Sequence, residues 1–106
     1  FSEVVSAAAP FKLGVEICFQ EQGTLANCNN GSNGVPAATT ANVGFVASGS
    51  GTVSGLSATA ATITMTPTAT GGLAATETYT LSTTGAVVGQ PLVWTKGGGC
   101  VASAIC

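Results

Sequence analysis

The chain has very few charged residues. Its 106 residues include four acidic and two basic side chains, 6% in all, and contain no Asp, Arg or His. An ordinary soluble domain is about one quarter charged. Without His and Asp, a Ser-His-Asp triad cannot form. Two separated lysines cannot neutralise a row of phosphates, so DNA binding by this chain is not expected. Because little self-repulsion would keep copies of the chain apart, the composition favours contact between identical molecules.

The remaining polar groups do not offer catalytic or cofactor chemistry. Paired carboxylates for glycoside hydrolysis would have to converge, but Glu16 and Glu21 are offset by five positions and are interpreted as solvated helix residues. Residues 97–99, three glycines, are not a phosphate loop, because no Lys-Ser/Thr pair and no helix pattern follow them. We interpret them as flexible backbone leading to Cys100. No enzyme, cofactor or metal site is therefore expected.

Four cysteines in a small chain without His predict disulfides and an oxidising compartment. Zinc ligands usually lie two to four residues apart, whereas here the spacings within the two pairs are ten and six. The four cysteines permit three pairings, which the sequence does not decide. Short loops close at the least entropic cost, which favours Cys18–Cys28 and Cys100–Cys106. Each bridge would contribute about 2–3 kcal/mol.

One long amphipathic helix is predicted over residues 1–22. Pro10 lies inside the pattern, where a proline removes one backbone hydrogen bond and clashes with the preceding turn. We expect a kink near residues 7–10 rather than the end of the helix, because the apolar spacing continues beyond Pro10. Gly23 is the predicted C-terminal cap. The apolar residues that step by threes and fours are Phe1, Val4, Val5, Ala8, Phe11, Val15, Cys18 and Phe19.

Residues 23–41 are predicted to be a loop, because Asn, Gly and Pro recur through them. The loop contains the tripeptide Asn30-Gly31-Ser32, which has the form of a glycosylation sequon. This tripeptide is common by chance, so it carries no functional argument by itself.

From residue 42 the period of the apolar residues changes to two, which predicts strands. The first strand is predicted around Val43, Phe45 and Ala47, with Val53 in its continuation or in a turn. Two further strands are predicted at residues 62–66 and 78–82, and the last at 91–95. The inward-facing residues of the middle strands are Ile63, Met65, Tyr79 and Leu81.

Short connections favour antiparallel neighbours, and a sheet with one apolar face must be covered on that side. The helix is the element available to cover it. The predicted fold class is therefore α+β: a long N-terminal helix packed across a four-stranded antiparallel sheet. We expect one domain over residues 1–106, with the helix at 1–22, the loop at 23–41, the sheet at 42–95 and a C-terminal disulfide loop at 96–106.

Two residues near the end of the chain permit both a structural and a functional interpretation. Trp94 is either a large core residue that anchors the C-terminal loop or a platform for stacking a ligand. Lys96 is the only cation in the C-terminal half. It is either solvated or in contact with a negatively charged partner.

Three segments together resemble the soluble part of a bacterial type IV pilin of the IVa kind. They are the helical residues 2–10, the strand-like residues 91–95 and the loop between Cys100 and Cys106. The resemblance covers nearly the whole chain. The hydrophobic half-helix that opens such pilins, with a glutamate near its start, is not in this sequence. We expect the intact subunit to carry it.

The resemblance implies a structural subunit of a type IV pilus that supports surface attachment, twitching motility or DNA uptake. The alternatives are a minor pilin, a calcium-dependent pseudopilin, for which a chain without Asp is poorly equipped, or a receptor- or glycan-binding adhesin module. The implied partners are other pilin subunits, the pilus assembly machinery, and a host or abiotic surface. The implied location is the inner membrane, through the missing helix, and then an extracellular pilus. Candidate receptor or subunit contacts are Trp94, Lys96, Val101, Ala102, Ser103, Ala104 and Ile105, besides the helix face that points away from the sheet.

Overall fold

A computed structural model describes residues 2–42, 44, 46–68, 76–90 and 92–103, without the side chains of residues 2 and 3. Four strands in chain order form one sheet, and each strand pairs antiparallel with the next. The predicted fold class, a helix packed across a four-stranded antiparallel sheet, is confirmed. In order, the elements are α1 (Ser2–Gln22), β1 (Thr52–Ser54), β2 (Ala61–Met65), β3 (Tyr79–Thr83), β4 (Thr95–Gly97) and α2 (Gly99–Ala102).

The core lies between α1 and the two central strands. The helix contacts β2 and β3, and both strands alternate buried and half-exposed residues along their five positions. The inward positions predicted for these strands are confirmed. The buried residues of α1 are Val4, Ala8, Phe11, Val15, Cys18 and Phe19, and those opposite them on the sheet include Ile63, Met65, Tyr79 and Leu81.

The helix runs through Pro10 as one element and ends as its sequence predicts. Gly23 has a positive φ of 69°, and its N–H donates to the carbonyl of Phe19 at 2.8 Å. Glycine adopts this left-handed conformation without a steric penalty and satisfies one of the last free carbonyls of the helix.

The prediction of the first strand was wrong in its position. Val43 and Phe45 lie outside the described residues, and Val46 makes only an isolated bridge to Pro67. The first strand of the sheet is β1, whose central Val53 is buried opposite Ile63. Of the two positions predicted for Val53, a strand or a turn, the structure has the strand. A strand of three residues between glycine turns is too short to show an alternating pattern, so its bounds could not be read from the sequence.

The last strand also lies further along the chain than predicted. Strand β4 begins at Thr95 rather than Pro91, which is outside the described residues, and Lys96 and Gly97 pair with Leu81 and Thr80. A side chain at position 97 would bring its Cβ to 3.0 Å from the Thr80 hydroxyl oxygen. Glycine at position 97 therefore leaves room for the Thr80 side chain, a requirement that alternating hydrophobicity does not reveal.

The outer edge of β1 is paired by a side chain of the loop. The amide nitrogen of Asn30 donates to the carbonyl of Gly51 at 2.8 Å, and its oxygen accepts from the N–H of Val53 at 2.8 Å. The same nitrogen also donates to the carbonyl of Pro36 at 3.0 Å. These contacts put the Asn30 amide where the peptide group of a further strand would lie, which protects the edge from unwanted pairing. The residue of the apparent sequon is thus a structural link between loop and sheet.

We predict that Asn30→Asp destabilises the fold by about 2–3 kcal/mol, because a carboxylate would face two carbonyl oxygens with no proton to donate. Urea unfolding at neutral pH measures this loss. The matched control is Asn29→Asp, the same chemical change at an exposed neighbour, which should alter stability by less than about 0.5 kcal/mol. Equal losses in the two variants would contradict the edge-pairing role.

Candidate interaction surface

Helix α1 has a second apolar row on its outer face. Val5, Ala9, Leu13 and Ile17 follow one another at intervals of four, which places them along one side of the helix. All four are exposed, and Leu13 is 58% exposed. The sequence analysis counted Val5 with the sheet-facing residues and did not use Leu13 or Ile17. The interval of four was the signal that could have identified them, and we call these four residues the outer row.

Residues 87–90 and 92–93 follow β3, and part of this stretch lies beside the C-terminal end of the helix. A Cβ added to Gly23, just after α1, would lie 3.9 Å from a methyl carbon of Val88. Val87 and Val88 are exposed, and Val93 is 76% exposed. Single exposed apolar side chains are common on protein surfaces and need no explanation. These three are informative because they lie near the outer row and enlarge one apolar region.

A groove separates the helix from that segment. Leu13, Ile17, Gln90 and Leu92 are among the residues that line it, and its volume is about 210 Å³. A second hollow of about 290 Å³ shares Gln90 and Leu92 with the groove and extends to Val87 and Val93. Among the described residues lining the two hollows, Glu16 is the only charged one. We call the five residues Leu13, Ile17, Val87, Leu92 and Val93 the outer apolar surface.

Trp94 is half-buried and packs against the core. Its Nε1 atom and the hydroxyl oxygen of Thr83 are inaccessible to solvent, and neither has a hydrogen-bond partner in the part of the chain that the structure describes. The packing of the ring against the core favours the structural interpretation of Trp94, an anchor for the C-terminal segment.

The other candidate contacts near the end of the chain are exposed where the structure describes them. Lys96 projects from β4, Val101 is exposed on α2, and Ala102 and Ser103 follow it at the surface. Ala104, Ile105 and Cys106 lie outside the described residues.

The three glycines at residues 97–99 were predicted to be flexible backbone leading to Cys100, but the structure packs two of them closely against the preceding chain. A Cβ at Gly98 would clash with the carbonyl oxygen of Thr78, and one at Gly99 would clash with that of Thr76. The N–H of Cys100 donates to the same Thr78 carbonyl at 3.0 Å. These glycines allow the chain to pack directly on the backbone before β3.

The cysteines are oxidised where they are described. Cys18 and Cys28 form a disulfide with a Cα–Cα distance of 5.8 Å, which joins the last turns of α1 to the loop. This pairing is the one that short-loop closure favoured, and the zinc alternative for these two residues is wrong. Cys100 is buried and also disulfide-bonded, whereas its predicted partner, Cys106, is outside the described residues.

The described residues offer neither a membrane-spanning helix nor a cluster of metal ligands. None of their helices combines the length and apolarity needed to cross a bilayer. No three or more His, Cys, Asp or Glu side chains among them come together as metal ligands.

Comparison with known proteins identifies relatives of this chain. A family model described as Pilin, a bacterial filament, matches residues 1–105. The type IV pilus subunit protein TapA of Aeromonas hydrophila is 58% identical over 38 residues, which span 36% of this chain and 27% of that relative. The matched stretch thus covers little more than a quarter of the relative's length.

We predict that Gly98→Ala destabilises the protein by at least about 2 kcal/mol more than Gly89→Ala. Both glycines have positive φ, but a Cβ at Gly89 would meet no atom within 4 Å, whereas one at Gly98 would clash with Thr78. Backbone strain affects both variants, while overpacking adds to the loss only at Gly98. Denaturant midpoints of the two variants measure the difference. Similar losses would show that the glycine run is not packed on the preceding backbone.

Proposed function

This chain belongs to the pilin family of bacterial filaments, and from that membership we propose that it is a structural subunit of a type IV pilus. The proposed filament supports surface attachment, twitching motility or DNA uptake. The observation that carries the proposal further is the outer apolar surface, which the fold of one molecule leaves uncovered. We propose that this surface contacts the next subunit.

The first argument for this contact is the geometry of α1. A helix that covers a sheet needs one apolar face, with polar residues opposite. Here the outer row repeats apolar residues on the solvent side, and Leu13 and Ile17 border a groove rather than standing alone. Covering such side chains contributes on the order of 1 kcal/mol each.

The second argument is the form of the surface. It combines a helix ridge at Leu13 and Ile17 with a neighbouring segment at Leu92 and Val93. If a different patch of the next copy fits this groove, the contact is head-to-tail, and repeated contacts of that kind build an open filament. The net charge of −2 opposes such stacking only weakly.

The proposal extends to where the subunit resides. It includes an inner-membrane stage before assembly, contact with the assembly machinery, and an extracellular filament afterwards. The disulfide between Cys18 and Cys28 is consistent with folding in an oxidising compartment.

A second candidate function is adhesion through the C-terminal region. Lys96 and Val101 are both exposed, and neither lines the groove or the adjoining hollow. These residues remain accessible to a receptor or glycan if the outer apolar surface is used for assembly.

We predict that Leu13→Glu and Val93→Glu, introduced separately into the full-length subunit in its bacterium, each reduce filaments at least about tenfold. A glutamate buried without a partner at the subunit contact costs more than the 1.4 kcal/mol that corresponds to this factor. Sheared filaments are quantified by electron microscopy and immunoblotting, with the cellular subunit level measured in parallel. The matched control is Val101→Glu, which adds the same charge at an exposed valine outside the groove.

The outcomes separate the two candidates. Normal filaments from both Leu13→Glu and Val93→Glu would contradict the proposed contact. Normal filaments with reduced surface attachment in Val101→Glu or Lys96→Glu would favour the adhesin function. Because all these side chains are exposed, the melting temperature of the isolated chain should be nearly unchanged in every variant.

A further inference from the structure

The loop contains two Asn-Gly pairs, Asn30-Gly31 and Asn33-Gly34. The two pairs differ in the hydrogen bonds that their side chains and backbone make. We propose that Asn33 is a site of spontaneous deamidation in the folded protein, while Asn30 is protected. The modification converts residue 33 into a mixture of aspartyl and isoaspartyl forms, and its only co-reactant is water.

The chemistry requires a free backbone nitrogen after the asparagine. That nitrogen attacks the side-chain carbonyl carbon Cγ, a new N–C bond forms, and the Cγ–Nδ2 bond breaks. The proton of the attacking N–H leaves with the side-chain nitrogen as ammonia. Water then opens the resulting five-membered imide at either carbonyl. A following glycine favours the attack, because it has no side chain to shield its nitrogen and its backbone adopts many conformations.

At Asn30 both reacting groups are occupied. The N–H of Gly31 donates to the carbonyl of Val35 at 2.9 Å. The Asn30 amide makes the three hydrogen bonds that pair the edge of β1. Attack would require the loss of several hydrogen bonds at once, so the fold holds this pair in an unreactive state.

At Asn33 the attacking nitrogen is available. Asn33 and Gly34 have positive φ values of 52° and 88°, and the N–H of Val35 donates to the carbonyl of Ser32 at 2.9 Å. This is a tight turn with both central residues in the left-handed region, the conformation that Asn-Gly favours. Within the described part of the chain, the N–H of Gly34 donates to no acceptor.

The side chain of Asn33 is exposed and less tightly held than that of Asn30. Its nitrogen donates to the carbonyl of Asn27 at 2.8 Å, and its oxygen accepts from Gln22 at 3.4 Å, both at the surface. After deamidation, a carboxylate would face the Asn27 carbonyl near the negative C-terminal end of α1. The product is therefore expected to hold the helix end less well.

The isoaspartyl form would disturb the loop further. It adds one carbon to the backbone of the turn. This turn packs closely on α1: a Cβ at Gly14 would lie only 2.8 Å from the Gly34 carbonyl oxygen. The loop has little room to absorb that extra atom.

The test is a time course of the oxidised, folded protein in mildly alkaline buffer. Tandem mass spectrometry with electron-transfer fragmentation locates the mass gain and distinguishes isoaspartyl from aspartyl products. We expect conversion at Asn33 to be at least about tenfold faster than at Asn30, the factor that corresponds to 1.4 kcal/mol. The matched control is the reduced, denatured chain, in which the two Asn-Gly pairs should convert at similar rates.

Two results would overturn the proposal. One is faster conversion at Asn30 than at Asn33 in the folded protein. The other is no conversion at Asn33 over an interval in which the denatured chain converts both residues. A companion variant, Asn33→Ser, should abolish the folded-state product while leaving conversion of Asn30 in the denatured sample.

Discussion

The structure depends on one face of α1 being buried against β2 and β3. A chain of 106 residues buries a limited fraction of its surface, so this contact must supply most of the core. Phe11 shows how far it reaches: a Cβ on Gly51, just before β1, would clash with the Phe11 ring. The same helix face therefore extends the core to the turn leading into the first strand.

The loop after α1 is held by four different kinds of contact. The Cys18–Cys28 disulfide fixes its start to the helix, and a bridge of this sort contributes about 2–3 kcal/mol. Gly14 allows the backbone near Gly34 to lie directly on the helix, and Asn30 joins the loop to the outer strand. Leu25 and Val35 add apolar contacts to the core. Residues that read as an ordinary polar loop thus form a fixed connection between helix and sheet.

Sequence reasoning succeeded where an element was long enough to repeat its pattern. The helix and the two five-residue strands show their periods clearly, and the structure follows them. The outer strands have three residues each, which is too short for an alternating pattern to reveal their positions. The edge-pairing role of Asn30 was not predictable, because it depends on bringing together residues more than twenty positions apart. At the candidate site, the exposed residues 96 and 101–103 could be named from the sequence, but the groove could not, because it forms between α1 and the distant segment 87–93.

The two apolar faces of α1 differ in what covers them. The inner face is already covered, and its side chains interlock with a sheet whose register is fixed by strand pairing. No described element of the same chain covers the outer row. The sheet packs on one side of the helix, and the groove opens on the other side. Leu13 and Ile17 therefore remain exposed in the described part of the chain. A monomer designed for solubility would place charges there, whereas Glu16 is the one charged residue among the described residues that line the groove. Sparse charge and a second apolar row thus both favour the association of identical molecules, the first by reducing repulsion and the second by offering apolar surface to bury. Neither feature contributes to the folding stability of a single molecule.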